Sequence, residues 1–204
     1  MFAPNLKPLE DSVKQKQVLR YSIAGIALFA IAFVCLLAAK AGPQDFESFT
    51  VDVAVDHQTF ALTPSPGLVL NSQPPGPNRG ATFIVDGKIF PGGTLPKGAG
   101  MGDPNMPGSL GIWFCKGIFT SVLGTEDIGF NTTQMFEFNG DGNAIWTEGL
   151  EGGLGKAGVI THRTIVGGTG KYSGAQGEVV QESLGTNSGG TPNIRLTFKI
   201  QRGR

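Results

Sequence analysis

Hydrophobic and polar positions alternate most cleanly near the two ends of the chain's larger, C-terminal part. Phe49, Val51, Val53 and Val55 interleave with Thr50, Asp52, Ala54 and Asp56, and Ile194, Leu196, Phe198 and Ile200 interleave with Arg195, Thr197 and Lys199. A period of two sends one set to an apolar face and the other to water, the mark of a half-buried strand. Runs over 80–90, 110–120, 130–139, 143–149, 158–166 and 176–184 predict further strands, giving about eight in all. Asn139-Gly140-Asp141-Gly142 is a hairpin signal, because these residues accept the positive φ of a tight turn. No helical period interrupts the series, which favours an antiparallel sandwich or closed barrel over parallel strands joined by helices. The glycine- and proline-rich stretches 62–80 and 91–109 are too long to be idle connectors, and are expected to cover a barrel mouth or to meet a partner.

Before residue 40 the pattern changes. Tyr21 to Ala39 is an uncharged apolar run that, as a helix rising 1.5 Å per residue, would extend about 28 Å, enough to cross a bilayer core. Ala39-Lys40-Ala41 imitates a signal-peptidase site, but signal h-regions usually run only about 7–15 residues, so an uncleaved anchor is the expectation. Lys7, Lys14, Lys16 and Arg20 precede the span, whereas only Lys40 follows closely. By the positive-inside rule the N-terminus is cytoplasmic and the rest periplasmic or extracellular, on a cell inner membrane. The expected organisation is a cytoplasmic segment 1–20, a transmembrane helix 21–39, a linker 40–47 and an extracytoplasmic β domain 48–204.

Composition agrees with strands and tight turns. Among 204 residues there are 32 glycines, 13 prolines and 14 phenylalanines, and charged residues make up 16%, against a norm of about 25%. Net charge is zero and no Lys/Arg cluster is interleaved with aromatics, which argues against a nucleic-acid partner. Cys35 and Cys115 lie in different settings and are not expected to pair. With His57 and His162 the only imidazoles and no Cys-x-x-Cys, no metal site and no cofactor are expected. Asn131-Thr132-Thr133 matches a glycosylation acceptor, which fits an outside location.

The stretch Thr164 to Glu182, "TIVGGTGKYSGAQGEVVQE", raises the question of a phosphate loop. It has Ile165 where a P-loop needs its first glycine, and Tyr172 rather than Ser or Thr after Lys171. Gly153-Leu-Gly155-Lys-Ala-Gly158 matches a dinucleotide pattern but leads into β-branched residues instead of a helix. A hairpin turn is the better reading of the first stretch. Its Gly167, Gly168, Thr169, Gly170, Tyr172, Gly174, Ala175 and Gly177 resemble the signature hairpin of the allene oxide cyclase and dirigent families. The resemblance covers about a third of the chain well and extends faintly over 48–204. It implies an eight-stranded antiparallel barrel in which these residues are structural, with Tyr172 packing across one end. It also implies a homotrimer as one mode of association. The N-terminal half offers no match for the families' catalytic residues, and the anchor departs from them.

The sequence supports two functional readings. The first is a non-catalytic accessory subunit of a larger membrane complex, such as a photosynthetic or respiratory assembly. It would touch its partners through the small residues Ala24, Gly25 and Ala27 of the span and through Leu95, Met101 and Met106 of loop 91–109. This is the expectation taken forward. The alternative is a membrane-anchored cyclase-like enzyme or a barrel that binds a small hydrophobic ligand, with Cys115, Glu137, Glu148 and His162 on central strands as pocket candidates.

Overall fold

The computed structural model describes residues 46–63, 79–120, 129–153 and 155–201, all within the unit Asp45–Arg204. Among them no helix is long and apolar enough to cross a membrane; the predicted span 21–39, with Ala24, Gly25 and Ala27, lies outside the described residues.

The strands are β1 (Phe46–Val55), β2 (Ala61–Thr63), β3 (Thr82–Pro91), β4 (Gly111–Phe119), β5 (Gly129–Phe138), β6 (Asn143–Gly152), β7 (Ile160–Gly168), β8 (Gln176–Thr186) and β9 (Pro192–Gln201). They form one sheet in the order β1-β9-β8-β7-β6-β5-β4-β3-β2, with every pairing antiparallel. The further pairing of β1 with β3, from Val51 opposite Pro91 to Val55 opposite Gly87, closes eight of them into a barrel. The short β2 uses the remaining edge of β3, pairing with Thr82–Ile84. A 3-10 turn, His57–Thr59, steps the chain from one use of that edge to the other, its start capped by the Asp56 carboxylate accepting from the Gln58 N–H at 3.0 Å. The strands expected from alternation are therefore present.

Alternation decides what fills the lumen. Val51, Val53 and Val55 of β1, Phe136 and Phe138 of β5, and Ile194, Leu196, Phe198 and Ile200 of β9 all point inward and are buried. The two ends of the barrel differ. At the end where β1 begins, Phe49 stacks on Phe198 with ring centroids 4.8 Å apart and meets Phe138 at 6.0 Å and Tyr172 at 6.2 Å. Rings of this size bury large apolar areas and plug that end. Tyr172 is put there by the glycine-rich turn: Gly170 has φ +58°, and a Cβ on it would fall 2.3 Å from Asn143 Oδ1. Thr169 ties the same turn to the 139–142 hairpin, its hydroxyl donating to Gly142 O at 2.6 Å and accepting from the Ala144 N–H at 3.2 Å. Lys171 is exposed, its ammonium 4.8 Å from the Tyr172 ring centre. The stretch that resembled a phosphate loop is a turn.

Loop 91–109 requires a correction. Leu95 is 1% exposed, packed with Ala54, Phe90, Leu184 and the half-buried Met106 on the outer side of β1, β3 and β8, so it is no partner contact. The loop is a strap along the outer wall. The Gly98 N–H donates to Leu184 O at 2.8 Å, the Ser188 N–H to Gly102 O at 3.2 Å and the Asn193 amide to Met101 O at 2.5 Å. The buried carboxylate of Asp52 fastens its root, accepting from the Gly93 and Leu95 N–H groups at 2.9 and 2.8 Å and, bidentate, from Arg195 at 2.7 and 2.9 Å. Charge-assisted bonds of this kind are the stronger ones in proteins. The strap lies on the outer wall and covers no barrel mouth; of the three named side chains Met101 alone remains largely exposed.

Candidate ligand-binding site

The end opposite the aromatic plug is open. A cavity of about 630 Å³ runs into the lumen there, lined by Val55, Val85, Trp113, Cys115, Glu151 and Ile194 among others, with Gly153, Lys156, Thr191 and Pro192 at its edge. Its mouth carries a collar of four phenylalanines. Phe83 lies 5.8 Å from Phe60, 5.5 Å from Phe119 and 5.6 Å from Phe130, and Phe119 lies 5.0 Å from Phe130. The collar exists because Gly117 on β4 has no side chain; a Cβ there would fall 2.5 Å from the Phe83 ring.

One side of the lumen is polar, built from inward positions of β5 to β8. Glu151 and Arg163 form an ion pair with side chains 2% and 0% exposed. Glu151 Oε1 also accepts from the Thr132 hydroxyl at 2.5 Å and from the Gln134 amide at 2.7 Å, and Oε2 accepts from the Gln181 amide at 3.2 Å. Arg163 Nε donates to Thr147 Oγ1 at 2.9 Å, Nη1 to Thr132 Oγ1 at 2.8 Å, and Nη2 to the Thr132 and Thr147 carbonyls at 3.1 and 3.3 Å. Burial opposes the guanidinium charge and pulls its pKa down, while the Glu151 carboxylate pushes it back up. An ion pair taken out of water is retained only when such bonds satisfy both partners. Among the described residues, three buried atoms at inward positions lack a hydrogen-bond partner: Trp113 Nε1, Gln134 Oε1 and Thr161 Oγ1.

Of the pocket candidates expected from sequence, only Cys115 lines the cavity. Burial is the main influence on its thiol and the Glu151 charge adds to it; both push its pKa up, which favours the neutral thiol, and the side chain packs in the core as a small apolar group. Glu137, half-buried, alternates with the buried Phe136 and Phe138 and so lies on the outer wall. Glu148 lines a shallow outer groove with Lys116 and Thr133, and His162 is exposed. These three do not meet Cys115. Glu151, Arg163, Gln134 and Gln181 were missed. For Arg163 a signal existed, since it shares its parity on β7 with Ile165. No group of His, Cys, Asp and Glu that could hold a metal exists among the described residues.

No known protein family and no curated protein matches the chain. Solved structures do. Two pterocarpan synthase dirigent proteins superpose with TM-scores of 0.55 and 0.54 at 13% and 14% identity, over 78% of this chain and 97% and 90% of theirs. An exo-specific intermolecular Diels-Alderase superposes at 0.46 and 12% identity, over 76% of this chain and 98% of its own. The fold is thus that of a dirigent-like barrel. The accessory-subunit expectation is corrected: the barrel resembles dirigent proteins, its interior holds an open, largely apolar cavity that reaches Glu151, and Leu95 of the supposed docking loop is buried.

Proposed function

We propose that this chain is a membrane-anchored barrel that binds a small, largely apolar molecule in its lumen. The observation that carries the reading is the cavity of about 630 Å³, within the size of small-molecule pockets, roughly 300–1,000 Å³. It has an apolar lining and an aromatic collar, and Glu151, held by the buried polar cluster, reaches its surface, which suits a hydrophobic ligand held in one orientation. In this reading residues 21–39 anchor the chain with the N-terminus in the cytoplasm and the barrel outside, supported by the uncharged run and the basic residues before it. A cyclase-like enzyme is the second reading, favoured by the Glu151 carboxylate on the cavity wall.

The test uses the full chain in mild detergent with 1-aminoanthracene, whose fluorescence rises in apolar surroundings. Saturable binding that Phe130→Arg weakens, with circular dichroism unchanged, is expected. Absence of saturable binding by the folded wild-type protein would overturn the proposal. Protease added outside spheroplasts should remove the barrel; protection of the barrel would reverse the topology. For the second reading, a bound compound converted by wild type and left unconverted by a Glu151→Gln variant that still binds it is expected.

A further inference from the structure

Resting on the ligand-binding reading, we infer that the indole N–H of Trp113 is the ligand's polar anchor, so that the lumen selects neutral ring compounds carrying a carbonyl-type acceptor. Trp113 is 3% exposed, lines the cavity, and has no hydrogen-bond partner for Nε1 among the described residues. An indole nitrogen can only donate, and buried donors in native proteins are almost always paired. The ring itself is firmly seated. It lies against Gly87 on β3, where a Cβ would come within 3.1 Å of Cε3 and within 2.6 Å of the Ala54 carbonyl. With the Cε3 edge on the glycine, the Cδ1–Nε1 edge is turned away from β3. A seat that only glycine permits, next to a donor that no described residue satisfies, is an arrangement that an acceptor on the ligand completes.

The charge of the ligand follows from the charged groups of the lumen. Arg163 and Glu151 neutralise each other, and both carboxylate oxygens already accept from protein donors. The remaining lining residues carry no charge except Lys156, which is exposed at the edge. A charged group brought to Trp113 would find no counter-ion there and would lose its hydration, whereas a ketone, quinone or lactone oxygen gains a partner.

Two shape-matched probes separate the alternatives: 2-acetylnaphthalene, which has a carbonyl, and 2-isopropylnaphthalene, which has none. On the ¹⁵N-labelled full chain in detergent, with the two tryptophan indole signals assigned through Trp146→Phe, the ketone should move the Trp113 Nε1–H resonance downfield as it saturates. The hydrocarbon should bind without that displacement. Trp113→Phe should weaken the ketone roughly 2- to 10-fold and leave the hydrocarbon nearly unchanged. If both probes bind and neither moves the indole proton downfield, the anchor is refuted while the ligand-binding barrel stands. If neither probe binds saturably, the underlying reading falls and the anchor with it.

Discussion

Replacing Arg163 by Met tests whether the polar wall is sealed from water. The substitution keeps most of the side-chain volume but leaves Glu151, 2% exposed, with an uncompensated negative charge. It also deprives Thr147 Oγ1 and the Thr132 and Thr147 carbonyls of donors at 2.9, 3.1 and 3.3 Å. Breaking a buried pair from one side costs about 3–5 kcal/mol, a large part of the roughly 5–15 kcal/mol that holds a typical domain together. Glu151→Gln alone should cost a comparable amount, because it leaves the fully buried Arg163 guanidinium without its counter-ion although the amide oxygen can still accept from Thr132 and Gln134. The double variant Arg163→Met/Glu151→Gln should be more stable than Arg163→Met alone, since the orphaned charge is gone. Urea unfolding followed by far-ultraviolet circular dichroism gives all three values and their coupling. A loss below about 1 kcal/mol for Arg163→Met would mean that water entering through the mouth solvates Glu151, and the argument for a dry polar wall would collapse.

Gly170→Val should lower the melting temperature far more than Lys171→Ala: the first forces a β-branched residue to φ +58° beside Asn143, while the second loses only an exposed cation–π contact. Similar melting temperatures would remove the turn assignment. Asp52→Asn should loosen the strap, visible as faster hydrogen exchange at the Gly93 and Leu95 amides with protection inside β4 and β5 retained; unchanged exchange at both amides would show that the clasp does not hold it. In a Cys35→Ser background, native Cys115 should resist iodoacetamide at pH 9 and react once unfolded. Its pKa is raised in the folded state, so the stability it contributes is full below the thiol's ordinary pKa and declines as pH rises above it. Rapid labelling of the folded protein would show that the lumen is wetter than described.

The strands were readable because barrel walls sort residues by parity, and Val51, Val53, Val55 or Leu196, Phe198, Ile200 are apolar on one parity only. The site was harder to read, for a physical reason. On β6 the inward positions are Ile145, Thr147, Gly149 and Glu151 while Trp146 and Leu150 face outward, so both faces mix polar with apolar and alternation gives no sign of which carboxylate is inside. Glu148 was singled out although Glu151, three residues on, has the opposite parity. The partners of Glu151 come from β5, β7 and β8, and pairing across four strands cannot be read from any one of them. The strap was misjudged similarly: what buries Leu95 is Ala54, Phe90 and Leu184, two of which are far away in the chain.

Barrel closure by β1 bears on how the molecule is made. β1 is held on one side by β3 and on the other by β9, from Phe46 opposite Gln201 to Ala54 opposite Asn193, and the salt bridge that fastens the strap joins Asp52 to Arg195. For a chain emerging N-terminus first, the opening strand must wait for the last to be synthesised before its second edge is covered. Loop closure over such separations is slow, and an unpaired strand edge invites association with other chains in the interval. Folding of this barrel is therefore a late event, completed only once β9 has been made, and its most exposed period falls between the making of β1 and the arrival of β9.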